Sequence, residues 1–221
     1  MSRGRVETVR LRDKSPVEEI IERHLPIEGQ EEREAASHLR EALAQLGMDC
    51  SPGNSSIYNT PERFIKYLKE FFQPFDPREI LGEGFDAVHD RTSIQGIIAQ
   101  SHIPFTAVCE HHLLPFQGEA FIGYIPNERV IGLSKMARLV YAVGHESPGL
   151  QEAMTEKITD TLYQGIKAQG VMVVVSAKHG CMSCRGVHTP EVVTITSCVR
   201  GLFRDVPAAR EEFLFLTGLR R

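Results

Sequence analysis

The stretch Ser93–Ile125, SIQGIIAQSHIPFTAVCEHHLLPFQGEAFIGYI, decides the fold. Ile94, Ile97, Ile98, Phe105, Ala107 and Val108 precede a break, and Phe116, Ala120, Ile122 and Tyr124 follow it. Two runs of apolar, β-branched and aromatic residues separated in this way predict two long strands joined by a reversal. The reversal carries Cys109-Glu110-His111-His112, and Pro126-Asn127 marks the next turn.

Working outward, Ser134 follows Gly132-Leu133 and is placed to cap a helix from Lys135 to about Val143. Met154, Ile158, Leu162 and Ile166 recur every fourth residue, which predicts a second helix from about Leu150 to Lys167, ended by Gly170. Val171-Met172-Val173-Val174-Val175 is unbroken and apolar, the pattern of a buried strand. It delivers His179 and Cys181 at its far end. Val192–Val199 reads as another strand and Ala208–Leu216 as a short closing helix.

Upstream, Ala35, Leu39, Leu43 and Leu46 predict an amphipathic helix from Gln30 to Leu46, with Gly47 as its stop. Thr60-Pro61 is an N-cap and first-turn pair that opens a helix to about Phe72. Residues 82–90, Gly-rich and acidic, read as a surface loop, and residues 1–28 as a flexible N-terminal extension. The central order is ββααββ, an antiparallel sheet backed by two helices, so the class is α+β. The expected divisions are the extension (1–28), an N-terminal helical region (29–80) and the sheet domain (81–221). Four strands leave free edges, and pairing with another copy of the chain would cover them.

Composition narrows the function classes. The 221 residues are 42 % apolar and 24 % charged, with a net charge of −4, which suits a soluble globular protein and argues against one that coats nucleic acid. No run of about 18 apolar residues predicts a membrane helix, and the charged start MSRGRVETVRLRDK lacks a secretory h-region. Five cysteines without an export signal are expected as reduced thiols in the cytoplasm.

Two motifs carry chemistry. Cys109 and His112 are three positions apart, and Cys181 supplies a third soft donor from a separate segment. Three protein ligands leave a fourth tetrahedral position open, which separates catalytic from structural zinc. His111 and His179 flank the ligands as imidazoles free for proton transfer, a combination that points to hydrolysis. Cys181-Met182-Ser183-Cys184 keeps two alternatives open at this stage: a closed structural site of Cys109, His112, Cys181 and Cys184, and a redox pair. A zinc deaminase would need His-x-Glu with Pro-Cys-x-x-Cys, and here Gly180 precedes Cys181. By themselves, Arg63 with Lys66 reads as a solvated cationic helix face, and Glu152 as an exposed helix glutamate.

Cys109-Glu110-His111-His112, Gly123-Tyr124-Ile125-Pro126, Gly132-Leu133-Ser134-Lys135-Met136-Ala137-Arg138, Gln151-Glu152, His179-Gly180-Cys181-Met182 and Arg185-Gly186-Val187 occur together in this order. With Thr60-Pro61, Arg63 and Lys66, they resemble GTP cyclohydrolase I from about residue 35 to the C-terminus. The resemblance implies a tunnelling fold and a homodecamer of two pentameric rings with active sites between subunits. It implies conversion of GTP and water to 7,8-dihydroneopterin triphosphate and formate, the first step of pterin and tetrahydrofolate synthesis. Cys109, His112 and Cys181 would hold Zn2+ and activate water for attack on C8 of the guanine. His179 would protonate the departing ring nitrogen, His111 would act on the ribose ring oxygen, and Ser134 would assist the Amadori rearrangement. Glu152, assisted by Gln151, would read the guanine edge. Arg185, Lys135, Arg138, Arg63 and Lys66 would neutralise the triphosphate, without a Gly-rich phosphate loop. Cys184, Ala153 and Ser147-Pro148-Gly149 depart from the family pattern.

Overall fold

A computed structural model of the chain describes residues 29–54, 56–82, 85–86, 96–127 and 129–220. The expected extension 1–28, Ser93 and Ile94, and most of the 82–90 loop lie outside those residues. The chain divides into two compact units, one ending at Tyr67 and the other beginning at Leu68.

The first unit contains α1 (Gln30–Gln45) and most of α2 (Thr60–Lys69). Its organising side chain is Arg40, whose guanidinium donates to the carbonyls of Cys50 and Tyr58 and pairs with Glu62 at 2.5 Å. The same guanidinium lies 4.8 Å over the Tyr58 ring. Of the apolar stripe on α1, Ala35, Leu39 and Leu43 are only half-buried and Leu46 is 83 % exposed, while Ala36 is the buried position. Leu46 takes the C-cap position of α1 and is not part of its packed face.

In the second unit α3 (Pro77–Leu81) is capped by Asp76, whose carboxylate accepts from the Arg78 backbone N–H at 2.8 Å. A two-residue strand β1 (Phe85–Asp86) pairs with β4 (Arg129–Val130). The main sheet has the order β2 (Ile98–Val108), β3 (Pro115–Ile125), β5 (Gly170–His179) and β6 (Thr194–Gly201), antiparallel throughout. Between β4 and β5 the chain forms α4 (Ser134–Glu146) and α5 (Gln151–Gly165). After β5 come the one-turn helix α6 (Gly180–Ser183) and, following β6, α7 (Leu202–Asp205) and α8 (Pro207–Leu216). The ββααββ order is therefore the observed one. The last strand lies two residues later than its sequence pattern, at Thr194–Gly201 in place of Val192–Val199. Ser134 is a correction of another kind: it is the first residue of α4, and no side chain caps that helix.

Strand β5 is buried on both faces over Gly170–Val175, which is why its sequence is an unbroken apolar run. Val171, Val173 and Val175 face the main core with Phe116, Ile122, Tyr124, Leu139, Ile158 and Leu162. Met172 and Val174 face a smaller cluster with Phe121, Phe203 and Phe213. The α8 residue Phe213 reaches the sheet because β3 has Gly123 beneath it; a Cβ there would lie 2.4 Å from the Phe213 ring. Leu81 of α3 joins the main core, so α3 packs with the sheet unit. No helix among the described residues is long and apolar enough to cross a membrane.

Candidate active site

The site forms where β2 ends, β3 begins and β5 ends. In the β2–β3 reversal Cys109 N–H donates to the Leu114 carbonyl and Leu113 N–H to the Cys109 carbonyl, each at 2.9 Å. The corner between α4 and α5 braces it from outside. Gly149 N–H donates to the Val108 carbonyl at 2.9 Å and Glu110 N–H to the Gly149 carbonyl at 3.3 Å. Cys109 is thus held on both sides by main chain and is buried, while His111 and His112 project outward.

In the β3–β5 ladder Phe116 is opposite His179, and their rings stack with centroids 4.6 Å apart and planes 2° apart. The α6 turn that follows brings Cys181 to Cys109. One ligand atom each from Cys109, His112 and Cys181 lies within 4.8 Å of the other two. Burial raises the Cys181 thiol above its ordinary range, the neighbouring Cys109 adds to the rise, and the Arg185 guanidinium opposes it. Two thiols this close resist joint ionisation unless a cation joins them, and thiolate–imidazole–thiolate is a donor set for zinc. The residues present therefore fit a bound metal. Cys184 stands outside the group: it is exposed, and its thiol donates to the Gly180 carbonyl at 2.9 Å.

His179 is oriented by Gln151, the first residue of α5. The Gln151 amide nitrogen donates to the carbonyls of Val175 and Thr194 and to Thr196 Oγ1, at 3.2, 3.0 and 3.1 Å. That fixes the amide so that its oxygen faces His179 Nε2, at 2.7 Å. Nε2 then carries the ring proton, and Nδ1 is the nitrogen left to exchange protons with a substrate. Burial pushes the His179 pKa below its ordinary value, with the Glu152 carboxylate opposing the shift. Gln151 itself is 1 % exposed and committed to these partners, whereas Glu152 is exposed at the mouth. On the other side, His111 Nδ1 lies 3.9 Å from Cys109 Sγ and Nε2 4.0 Å from a Glu110 oxygen. Arg185 Nη1 lies 2.8 Å from His112 Nε2.

Cys109, His111, His112, Gln151, Glu152, His179, Cys181 and Arg185 thus meet at one end of the sheet. Ser134, Lys135 and Arg138 do not join them within one chain. They begin α4, whose other end leads into the corner braced against Cys109, and a helix of 13 residues spans about 20 Å. Arg63 and Lys66 belong to the first unit. The Phe116 stack and the Gly149 brace have no motif of their own; only the strand register places Phe116 beside His179.

The family model for GTP cyclohydrolase I matches residues 35–218. The chain belongs to the GTP cyclohydrolase I family. A GTP cyclohydrolase 1 of Dehalococcoides mccartyi is 40 % identical over 190 residues, covering 84 % of this chain and 96 % of the relative. One from Mycobacterium tuberculosis is 41 % identical over 192 residues, covering 84 % and 90 %. Among solved structures, the archaeosine synthase QueF-Like in its apo form is similar with a TM-score of 0.39 and 14 % identity, over 50 % of this chain and 97 % of that one. Family membership is carried by the sequence relatives, and the ββααββ sheet is the α+β tunnelling arrangement expected of a member.

Proposed function

We propose that this chain converts GTP and water to 7,8-dihydroneopterin triphosphate and formate, opening pterin and tetrahydrofolate synthesis. The observation that carries this reading is the Cys109–His112–Cys181 group beside a histidine held by Gln151 with its proton on Nε2. Cys109, His112 and Cys181 would hold Zn2+, which when bound supplies Lewis acidity and lowers the pKa of water toward neutrality. His179 takes a proton at Nδ1 and passes it to the ring nitrogen that departs as the imidazole opens. Its lowered pKa keeps it neutral and ready to accept. His111, with Glu110 beside it, acts on the ribose ring oxygen. Glu152 accepts from the guanine N1–H and the exocyclic amine, a donor pair that a carboxylate matches.

Arg185, Lys135, Arg138, Arg63 and Lys66 are the cations proposed for the triphosphate. Within one chain Lys135 and Arg138, with the proton-transfer residue Ser134, begin a helix about 20 Å long whose far end borders the metal group. That separation supports a homo-oligomer, the decamer in our reading, in which a second copy completes each site. The five cysteines are free, which suits a cytoplasmic enzyme.

The test is GTP turnover by zinc-loaded protein, measuring formate and the oxidised, fluorescent pterin together. Equal amounts of both, lost in His179→Ala and Cys181→Ala, are expected. Bound zinc with no formate from any nucleotide overturns the reading.

A further inference from the structure

Two contacts hold the His179 ring, and they restrain different motions. The first is the 2.7 Å contact between Nε2 and the Gln151 amide oxygen, which fixes the direction of one ring atom. A ring held at one atom can still turn about the line of that contact, and the turn swings Nδ1 through an arc. The second contact removes this freedom. Phe116 stands opposite His179 in the β3–β5 ladder, where facing side chains share one side of the sheet with Cβ atoms about 5 Å apart. The two rings stack with centroids 4.6 Å apart and planes 2° apart. Turning the imidazole about its hydrogen bond would drive one edge of it into the Phe116 face. Phe116 itself has nowhere to go. It is 1 % exposed, and Phe105 meets it edge-on, with centroids 5.9 Å apart and planes at 77°.

We propose that Phe116 is a positioning residue for the opening of the guanine imidazole, its face setting the plane in which His179 presents Nδ1 to the substrate. The inference rests on His179 being the proton-transfer group of the proposed reaction. Gln151 supplies the direction of the ring and Phe116 its tilt, and neither alone places Nδ1. An aliphatic side chain of similar volume would fill the same space without offering a flat face. The ring would then sample tilts, and only part of them would bring Nδ1 within reach of the departing nitrogen. The guanine edge and the triphosphate are held by other residues, so the loss falls on kcat and leaves KM in place.

The experiment is steady-state GTP turnover by zinc-loaded, full-length protein, with zinc content and denaturant midpoint measured on every variant. Phe116→Leu is expected to lower kcat about 5- to 30-fold, with KM within about twofold of wild type and zinc content unchanged. Phe116→Met, whose unbranched chain adapts to the same space, carries the same prediction if the leucine variant does not fold. Phe213→Leu takes a ring from the smaller cluster and controls for a loosened core: a lower midpoint with wild-type kcat is expected. Because both contacts act on one ring, adding Phe116→Leu to Gln151→Leu should cost clearly less than Phe116→Leu does alone. Unchanged kcat in the folded Phe116 variants overturns the proposal. So does a raised KM with kcat intact, a kcat loss as large in Phe213→Leu, or full additivity with Gln151→Leu. Wild-type protein that releases no formate from GTP is a separate failure, that of the proposed reaction itself.

Discussion

The two ends of the β3–β5 pair are built by opposite means. At the Ile125–Gly170 end the closure is main chain. Gln169 N–H donates to the Ile125 carbonyl at 2.9 Å, and Leu202 N–H to the Gln169 carbonyl at 3.0 Å. Gly201, at φ +57°, lets the strands close so tightly that a Cβ would sit 2.1 Å from the Gln169 carbonyl oxygen. At the Phe116–His179 end the partners are side chains: thiols, imidazoles, an amide and a guanidinium. The contrast teaches that this fold keeps stability and chemistry at separate ends of the same two strands. Residues can be lost from one end with activity as the casualty, and from the other with folding as the casualty.

The largest effect expected is at the site end. Cys181→Ala should take bound zinc from one per chain to none and bring turnover to background, while its thermal midpoint matches that of zinc-free wild type. Metal analysis with a melting curve checks this, and a variant that unfolds instead would break the division. Gly201→Ala should do the reverse. Forcing a side chain into the left-handed region against a carbonyl costs about 2–5 kcal/mol, read as a lower denaturant midpoint, while the molecules still folded keep wild-type zinc affinity.

A finer test separates positioning from substrate contact. Gln151→Leu removes the acceptor that orients His179, and about a 10- to 100-fold fall in kcat is expected with little change in KM. A raised KM for GTP with kcat intact would instead make Gln151 a guanine contact, as its place beside Glu152 in the sequence suggests. The smallest effect belongs to Cys184→Ala, which should keep its zinc and stay within about twofold of wild-type turnover. Loss of the metal there would turn the site into a closed four-ligand one.

What the sequence made legible follows from what local patterns can report. The ββααββ order was readable because periodicity records which face of each element is buried, as in Val171–Val175. Cys109, His112 and Cys181 were readable because few other residue sets offer soft donors at such spacing. The partners were not. Gln151 and Glu152 are adjacent, yet one is 1 % exposed and spent on strand carbonyls while the other faces solvent. No rule of composition separates them, because the difference lies in which strand passes beneath α5. The same limit hid the pairing of Arg185 with His112, and the burial of His145 between Phe71 and Tyr141 in stacks of 4.7 and 4.0 Å. The stripe on α1 misled in the opposite direction: its spacing was correct, but Leu46 remains in solvent in this unit.

Among the described residues, the main-chain hydrogen bonds that tie the corner Ser147-Pro148-Gly149 to the turn carrying Cys109 run through the amide and carbonyl of Gly149. A grip made of main-chain atoms is indifferent to the letters that carry it. Substitutions in this segment that keep the main chain in place therefore leave Cys109 undisturbed, and an engineer has a wide choice of residues there. Its length has no such freedom. One inserted residue would slide the amide and the carbonyl out of step with Val108 and Glu110, and Cys109, which they steady, would drift with them.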